Sequence, residues 1–112
     1  MQTTLSALAE PNRLQIVELL RRKPLAVGDI AERLGLRQPQ VSKHLRVLSD
    51  AGIVEVHPVA QQRIYSLRPQ PFDELDAWLK RYRRTVEERF DRLDDILREL
   101  KERGDKDHGH RK

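Results

Sequence analysis

Gln38, Gln40, Ser42, Lys43, His44 and Arg46 fall within one short stretch, QPQVSKHLRVL. A glutamine amide carries a donor and an acceptor side by side and can pair bidentately with adenine, while lysine or arginine can reach the O6 and N7 acceptors of guanine. Serine hydroxyls and the free N–H groups at a helix start suit phosphate oxygens. No acidic residue occurs between Glu32 and Asp50, although acids are frequent elsewhere. The set is composed to hold a polyanion with hydrogen-bonding edges, not to break a bond. A glycine-rich phosphate loop and a nucleophile motif are both absent from the sequence, and no enzymatic activity is expected.

The element that must carry these groups is a helix. Val41, Leu45 and Leu48 stand at i, i+4 and i+7 and define one apolar side. At about 100° per residue, burying that side turns Lys43 and Arg46 most directly outward. Gln40 lies to one flank and Ser42 to the other, and Gln38 sits near the N-terminus of the helix. His44 falls nearer the buried side, so packing or a phosphate contact suits it better than base reading. Arg37, just before the helix, is placed for a phosphate.

Charge along the chain agrees. The net charge is +4, and residues 33–70 contain the whole excess: Arg33, Arg37, Lys43, Arg46, Arg63 and Arg68 against Asp50 and Glu55. A local basic patch on an otherwise balanced chain suits nucleic acid. Cysteine is absent, which removes disulfides, thiolate metal sites and thiol redox sensing. No leader-like segment and no apolar run near membrane length is found, so a cytoplasmic protein without membrane contact is expected.

Around the central helix the pattern predicts a mainly α fold with a small β-hairpin. Leu5, Leu8 and Ala9 suggest a first helix; Pro11 opens a second, with Leu14, Val17 and Leu20 inward and Arg21, Arg22 and Lys23 in its last turn. Val27, Ile30, Ala31 and Leu34 give a third, closed by Gly35. Pro39 opens the fourth and Gly52 ends it. Val54 and Val56, then Ile64 to Leu67, read as a two-stranded hairpin with Gln61, Gln62 and Arg63 at its tip. Arg63 there would reach the adjacent minor groove or the DNA backbone. The third and fourth helices, the glycine turn between them and the hairpin that follows form a winged helix-turn-helix over residues 1–70.

Residues 71–103 are expected to form a long amphipathic helix striped by Leu75, Leu79, Tyr82, Val86, Phe90, Leu93 and Leu97. Its length, roughly 45 Å at about 1.5 Å per residue, exceeds what a 70-residue body covers. The simplest partner for the surplus is a second copy, with Leu5 and Leu8 of the first helix joining the interface. Trp78 falls beside the stripe as packing. The tail from 104 to 112, with His108 and His110, lacks apolar periodicity and is expected to be disordered.

These residues resemble the ArsR family of bacterial winged-helix repressors. The resemblance rests on LSALAEPNRLQIVELL, PLAVGDIAERLGLRQPQVSKHLRVLSDAGIV and RIYSLRP, which cover most of residues 4–69. It implies a homodimer built on the first and last helices, and binding of double-stranded operator DNA through Gln38 to Arg46 and the wing. It also implies repression, usually of the protein's own operon. Metal-sensing members carry a box like Leu-Cys-Val-Cys-Asp; here the same stretch is Leu25-Ala26-Val27-Gly28-Asp29. Others use histidine and carboxylates on the last helix, whereas residues 71–107 contain no histidine. Neither a metal nor another cofactor is therefore expected. Glu10 replaces the usual aspartate before Pro11, and the wing lacks the usual tip glycine.

The expected function is a homodimeric, sequence-specific DNA-binding repressor that reads an inverted repeat and senses no metal. An inducer, where one exists, is expected near the last helix. The competing reading is a winged helix used only for protein association. It would need exposed aromatic or aliphatic anchors on the fourth helix, which that polar face lacks.

Overall fold

The computed structural model describes residues 1–110, with side chains through residue 104. The elements run α1 (Gln2–Leu8), α2 (Pro11–Leu20), β1 (Leu25–Ala26), α3 (Val27–Leu34), α4 (Gln38–Asp50), β2 (Val54–Val59), β3 (Gln62–Leu67) and α5 (Pro69–His110). This is a winged helix-turn-helix with a long C-terminal helix, as the sequence pattern implies. The chain divides into two compact units, the first ending at Leu75 and the second beginning at Asp76.

The first unit is built around a core of fully buried Ile16, Ile30, Val41, Leu45, Leu48, Ile53 and Val54. Each such side chain contributes about 1.5–3 kcal/mol relative to exposure. Helices α3 and α4 each supply an apolar side to this core. Gly35 separates them with φ 65°, a left-handed conformation open to glycine at no steric penalty. The Leu36 N–H then donates to the Ala31 carbonyl at 3.0 Å and closes the end of α3.

Three details differ from the expectations. Helix α2 ends at Leu20, so Arg21, Arg22 and Lys23 lie at or beyond its C-cap and not in its last turn. Leu14 is exposed, and Ile16 joins Val17 and Leu20 on the buried side. The β-structure has three strands, in the order β1-β3-β2 and antiparallel throughout. The short β1 pairs Leu25 with Tyr65 and Ala26 with Ile64. Pro58 sits on β2, an edge strand, where its missing N–H is tolerated.

Within the second unit, α5 continues past residue 103, the expected end, to His110. Residues 111 and 112 lie outside the described residues. Leu79, Tyr82, Phe90, Leu93, Ile96, Leu97 and Leu100 are all exposed. Trp78 stacks on Tyr82 with ring centroids 5.1 Å apart. No helix among the described residues is long and apolar enough to cross a membrane.

Candidate nucleic-acid interface

Helix α4 is anchored by Val41, Leu45 and Leu48, each wholly buried. That anchoring fixes the rotation of the helix, because a turn of 100° would bring charge into the core. Gln38, Gln40, Ser42, Lys43 and Arg46 are consequently all exposed, as is Arg37 at the N-cap. Neither Lys43 nor Arg46 makes a hydrogen bond or ion pair to the described residues, so both heads are open to a ligand.

The wing brings further groups to this face. A cleft of about 350 Å³ is lined by Ser42 and Arg46 of α4 and by Arg63 and Tyr65 of β3. An adjoining one of about 290 Å³ collects Gln38, Gln61, Gln62 and Arg63 at the start of α3. Six of the ten residues singled out in the sequence therefore line two neighbouring clefts that share Arg63. Arg37, Gln40, Lys43 and His44 line neither.

Two of these residues have internal duties. The Gln40 Oε1 accepts a hydrogen bond from the Arg37 backbone N–H at 3.2 Å. One lone pair of its amide oxygen is thus engaged, and the side chain is turned toward the N-cap while that cap holds. His44 is half-buried, with Nδ1 3.7 Å from the Glu10 carboxylate, on the side facing α2 and not the open face of α4. The same Glu10 oxygen accepts from the Arg13 backbone N–H at 2.8 Å, so glutamate caps α2 despite its extra methylene.

Sequence reasoning missed Ser49, which lines the larger cleft. It follows Ser42 and Arg46 at i+7 and i+3, so the helical wheel could have supplied it. It also missed Tyr65 and Asp29, whose positions depend on β1 and on the start of α3. Arg68, part of the basic excess, turns instead toward the end of α4, where its Nη1 lies 3.5 Å from the Gly52 carbonyl. At the wing tip Ala60 takes φ 55°, the conformation for which the missing glycine would be suited.

The positions matching the metal-binding cysteines are Ala26, in β1, and Gly28, in α3. Neither side chain offers a donor atom, so the residues present do not fit a metal of that kind. Among the described residues no group of three or more His, Asp or Glu comes together as a candidate metal cluster.

The buried anchor, exposed polar face and adjoining wing define a DNA-binding type of winged helix. The pattern described as "Bacterial regulatory protein, arsR family" matches residues 10–56. HTH-type transcriptional regulator Rv2034 of Mycobacterium tuberculosis is 42% identical over 76 residues, covering 68% of this chain and 71% of that protein. Transcriptional repressor SdpR of Bacillus subtilis is 30% identical over 79 residues, covering 70% and 88%. A solution NMR structure from Mycobacterium bovis superposes with a TM-score of 0.62 at 29% identity, over 70% of this chain and 73% of that one. It is described as the homodimeric winged helix-turn-helix DNA-binding domain of Mb0332, a possible ArsR-family regulator. The chain belongs to the ArsR family of bacterial regulatory proteins. Members of this family are transcriptional regulators, not enzymes.

Proposed function

We infer that this protein is a homodimeric repressor that binds an inverted-repeat operator, its own promoter included, and that it does so without sensing a metal. The observation that carries this reading is the division of α4 into a wholly buried side, Val41, Leu45 and Leu48, and an exposed side that is free of acids from Gln38 to Ser49, Asp50 being its last residue. Lys43 and Arg46 are the groups assigned to guanine edges, and Gln38 to adenine. Ser42 and Arg37 are assigned to phosphates, with Gln61, Gln62 and Arg63 following the backbone or the adjacent minor groove. Gln40 contributes its N–H donors and the remaining lone pair of its oxygen while it caps the helix. His44 acts by holding α4 against the Glu10 cap.

Dimerisation is assigned to Leu5 and Leu8 of α1 and to Leu75, Leu79, Tyr82, Val86, Phe90, Leu93 and Leu97 of α5. Support comes from the exposed aliphatic and aromatic groups of α5 and from the homodimeric state of the Mb0332 domain. Leu8 packs partly against its own core, so it contributes less area than Leu5. Two reading heads on one two-fold axis call for half-sites about one helical turn, roughly 34 Å, apart. The empty cysteine positions at Ala26 and Gly28 support a regulator whose signal is not a metal.

The test is a fluorescence-anisotropy titration against duplex DNA from upstream of the gene, beside a scrambled duplex, at two salt concentrations. Tighter saturable binding to the native duplex, weakened by salt, is expected. Equal weak binding to both would remove autoregulation. No binding to either at low salt would overturn DNA recognition in favour of a protein-association role.

A further inference from the structure

A cavity of about 460 Å³ opens in the first unit and shares one lining residue, Asp50, with the larger recognition cleft. Its walls are α1 (Thr3, Ser6), the first turn of α2 (Arg13) and the end of α4 (Val47, Asp50) with its C-cap Ala51. The volume lies within the range of small-ligand sites.

Two opposite charges border this one cavity without neutralising each other. Arg13 and Asp50 form no ion pair within 4.0 Å, with each other or with any described residue. Arg13 is nevertheless held in place: its Nε donates to the Ala7 carbonyl at 2.7 Å, which leaves the Nη pair available. A guanidinium anchored by one nitrogen is a preorganised carboxylate receptor, because part of its rotamer entropy is already lost. Asp50, on the opposite wall, supplies an acceptor for an ammonium group, and Ser6 and Thr3 supply hydroxyls. Beside Asp50 on the same wall are Val47, 41% exposed though apolar, and Ala51, a surface for a short hydrocarbon chain.

We propose that this cavity is an effector site for a free amino acid or closely similar zwitterion, with Arg13 taking the carboxylate, Asp50 the ammonium and Val47 the side chain. A simple anion would leave Asp50 facing it, and a simple cation would leave Arg13. Only a ligand carrying both charges answers both walls.

The site is also placed to regulate, which rests on the DNA-binding reading above. Its walls join α1, assigned to the dimer, to the end of α4, the recognition helix. Arg13 adjoins the Glu10 cap, whose carboxylate faces His44 on that same helix. A ligand pulling Arg13 and Asp50 toward itself acts on the position of α4 relative to α1 and α2. The sequence had pointed to the last helix for such a ligand; this cavity lies wholly on the first unit.

The experiment is isothermal titration of the full-length, DNA-free protein with each of the common L-amino acids. Each ligand is tested up to about 10 mM, where even millimolar sites fill. The deaminated acid and decarboxylated amine of any binder are run beside it. At least one amino acid should bind, with both single-charge analogues at least about tenfold weaker, and Asp50→Asn should weaken it by a similar factor. Because Arg13 also braces α1, Arg13→Lys is the second variant; it keeps the charge but loses the two-pronged carboxylate contact and should weaken binding too. No binding by any amino acid would overturn the proposal, as would binding unaltered by both substitutions. A binder that leaves operator affinity unchanged would overturn its role as an effector. Because the titration contains no DNA, failure of operator recognition cannot be mistaken for failure of this site.

Discussion

Replacing Arg46 by alanine should separate recognition from folding. Arg46 is exposed and bonded to none of the described residues, so its loss should leave unfolding free energy within about 0.5 kcal/mol of the parent. A bidentate contact to guanine is worth about 1–3 kcal/mol, which is roughly 5- to 150-fold in affinity for one reading head. A dimer carries two heads, so the full complex should lose about 2–6 kcal/mol. Lys43→Ala should behave alike. Anisotropy titrations with operator and scrambled duplexes, across a salt series, measure both size and kind of loss. Loss confined to the operator marks base reading. Loss shared by both duplexes, with the salt slope lowered by about 2 per dimer, marks a phosphate contact instead. If both variants bind the operator as the parent does, the assignment of this face of α4 is wrong.

Leu45 is wholly buried at the crossing of α4 with the core, so Leu45→Ala should cost about 2–5 kcal/mol in urea unfolding; a loss below about 1 kcal/mol would contradict that packing. Ala60→Gly relieves a left-handed φ at the wing tip and should raise stability by about 0.5–1 kcal/mol, read as an increase in Tm. Phe90→Asp with Leu93→Asp places charge on the exposed apolar stripe and should convert dimer to monomer in sedimentation velocity. A dimer that persists in that double variant would move the interface elsewhere.

The fold was most legible where one helix face is buried completely. Val41, Leu45 and Leu48 announce α4 by spacing alone, and the same spacing orients Lys43 and Arg46 correctly outward. Legibility failed where long-range contacts decide. Leu25 and Ala26 are too few to show a strand period, and their pairing to Tyr65 and Ile64 spans about forty residues of sequence. Helix α2 carries apolar residues on several sides, so the pattern could not choose Ile16 over Leu14 for the core. The apolar stripe lapses after residue 103, yet α5 continues through Gly104, since a single helical glycine costs only about 1 kcal/mol. In the candidate site the amides were visible as groups but their engagements were not. That Gln40 caps its own helix depends on backbone geometry at Arg37. That His44 turns to Glu10 depends on where α2 begins.

The two residues of β1 have a consequence out of proportion to their length. They hydrogen-bond to β3, the inner strand of the wing, and lead directly into α3. The wing is thereby stitched to the entrance of the helix-turn-helix, so hairpin and reading helix work like the two jaws of a caliper with a locked hinge. Such a link resists adjustment of the gap, so part of the adjustment falls to the DNA. Sequences whose grooves reach that spacing with little bending are then favoured even at base pairs no side chain touches. On the proposed reading of α4 as the operator-binding helix, part of the operator's identity rests on this joint, and cutting it by Ala26→Pro should blur the choice among operators before it weakens the grip on DNA.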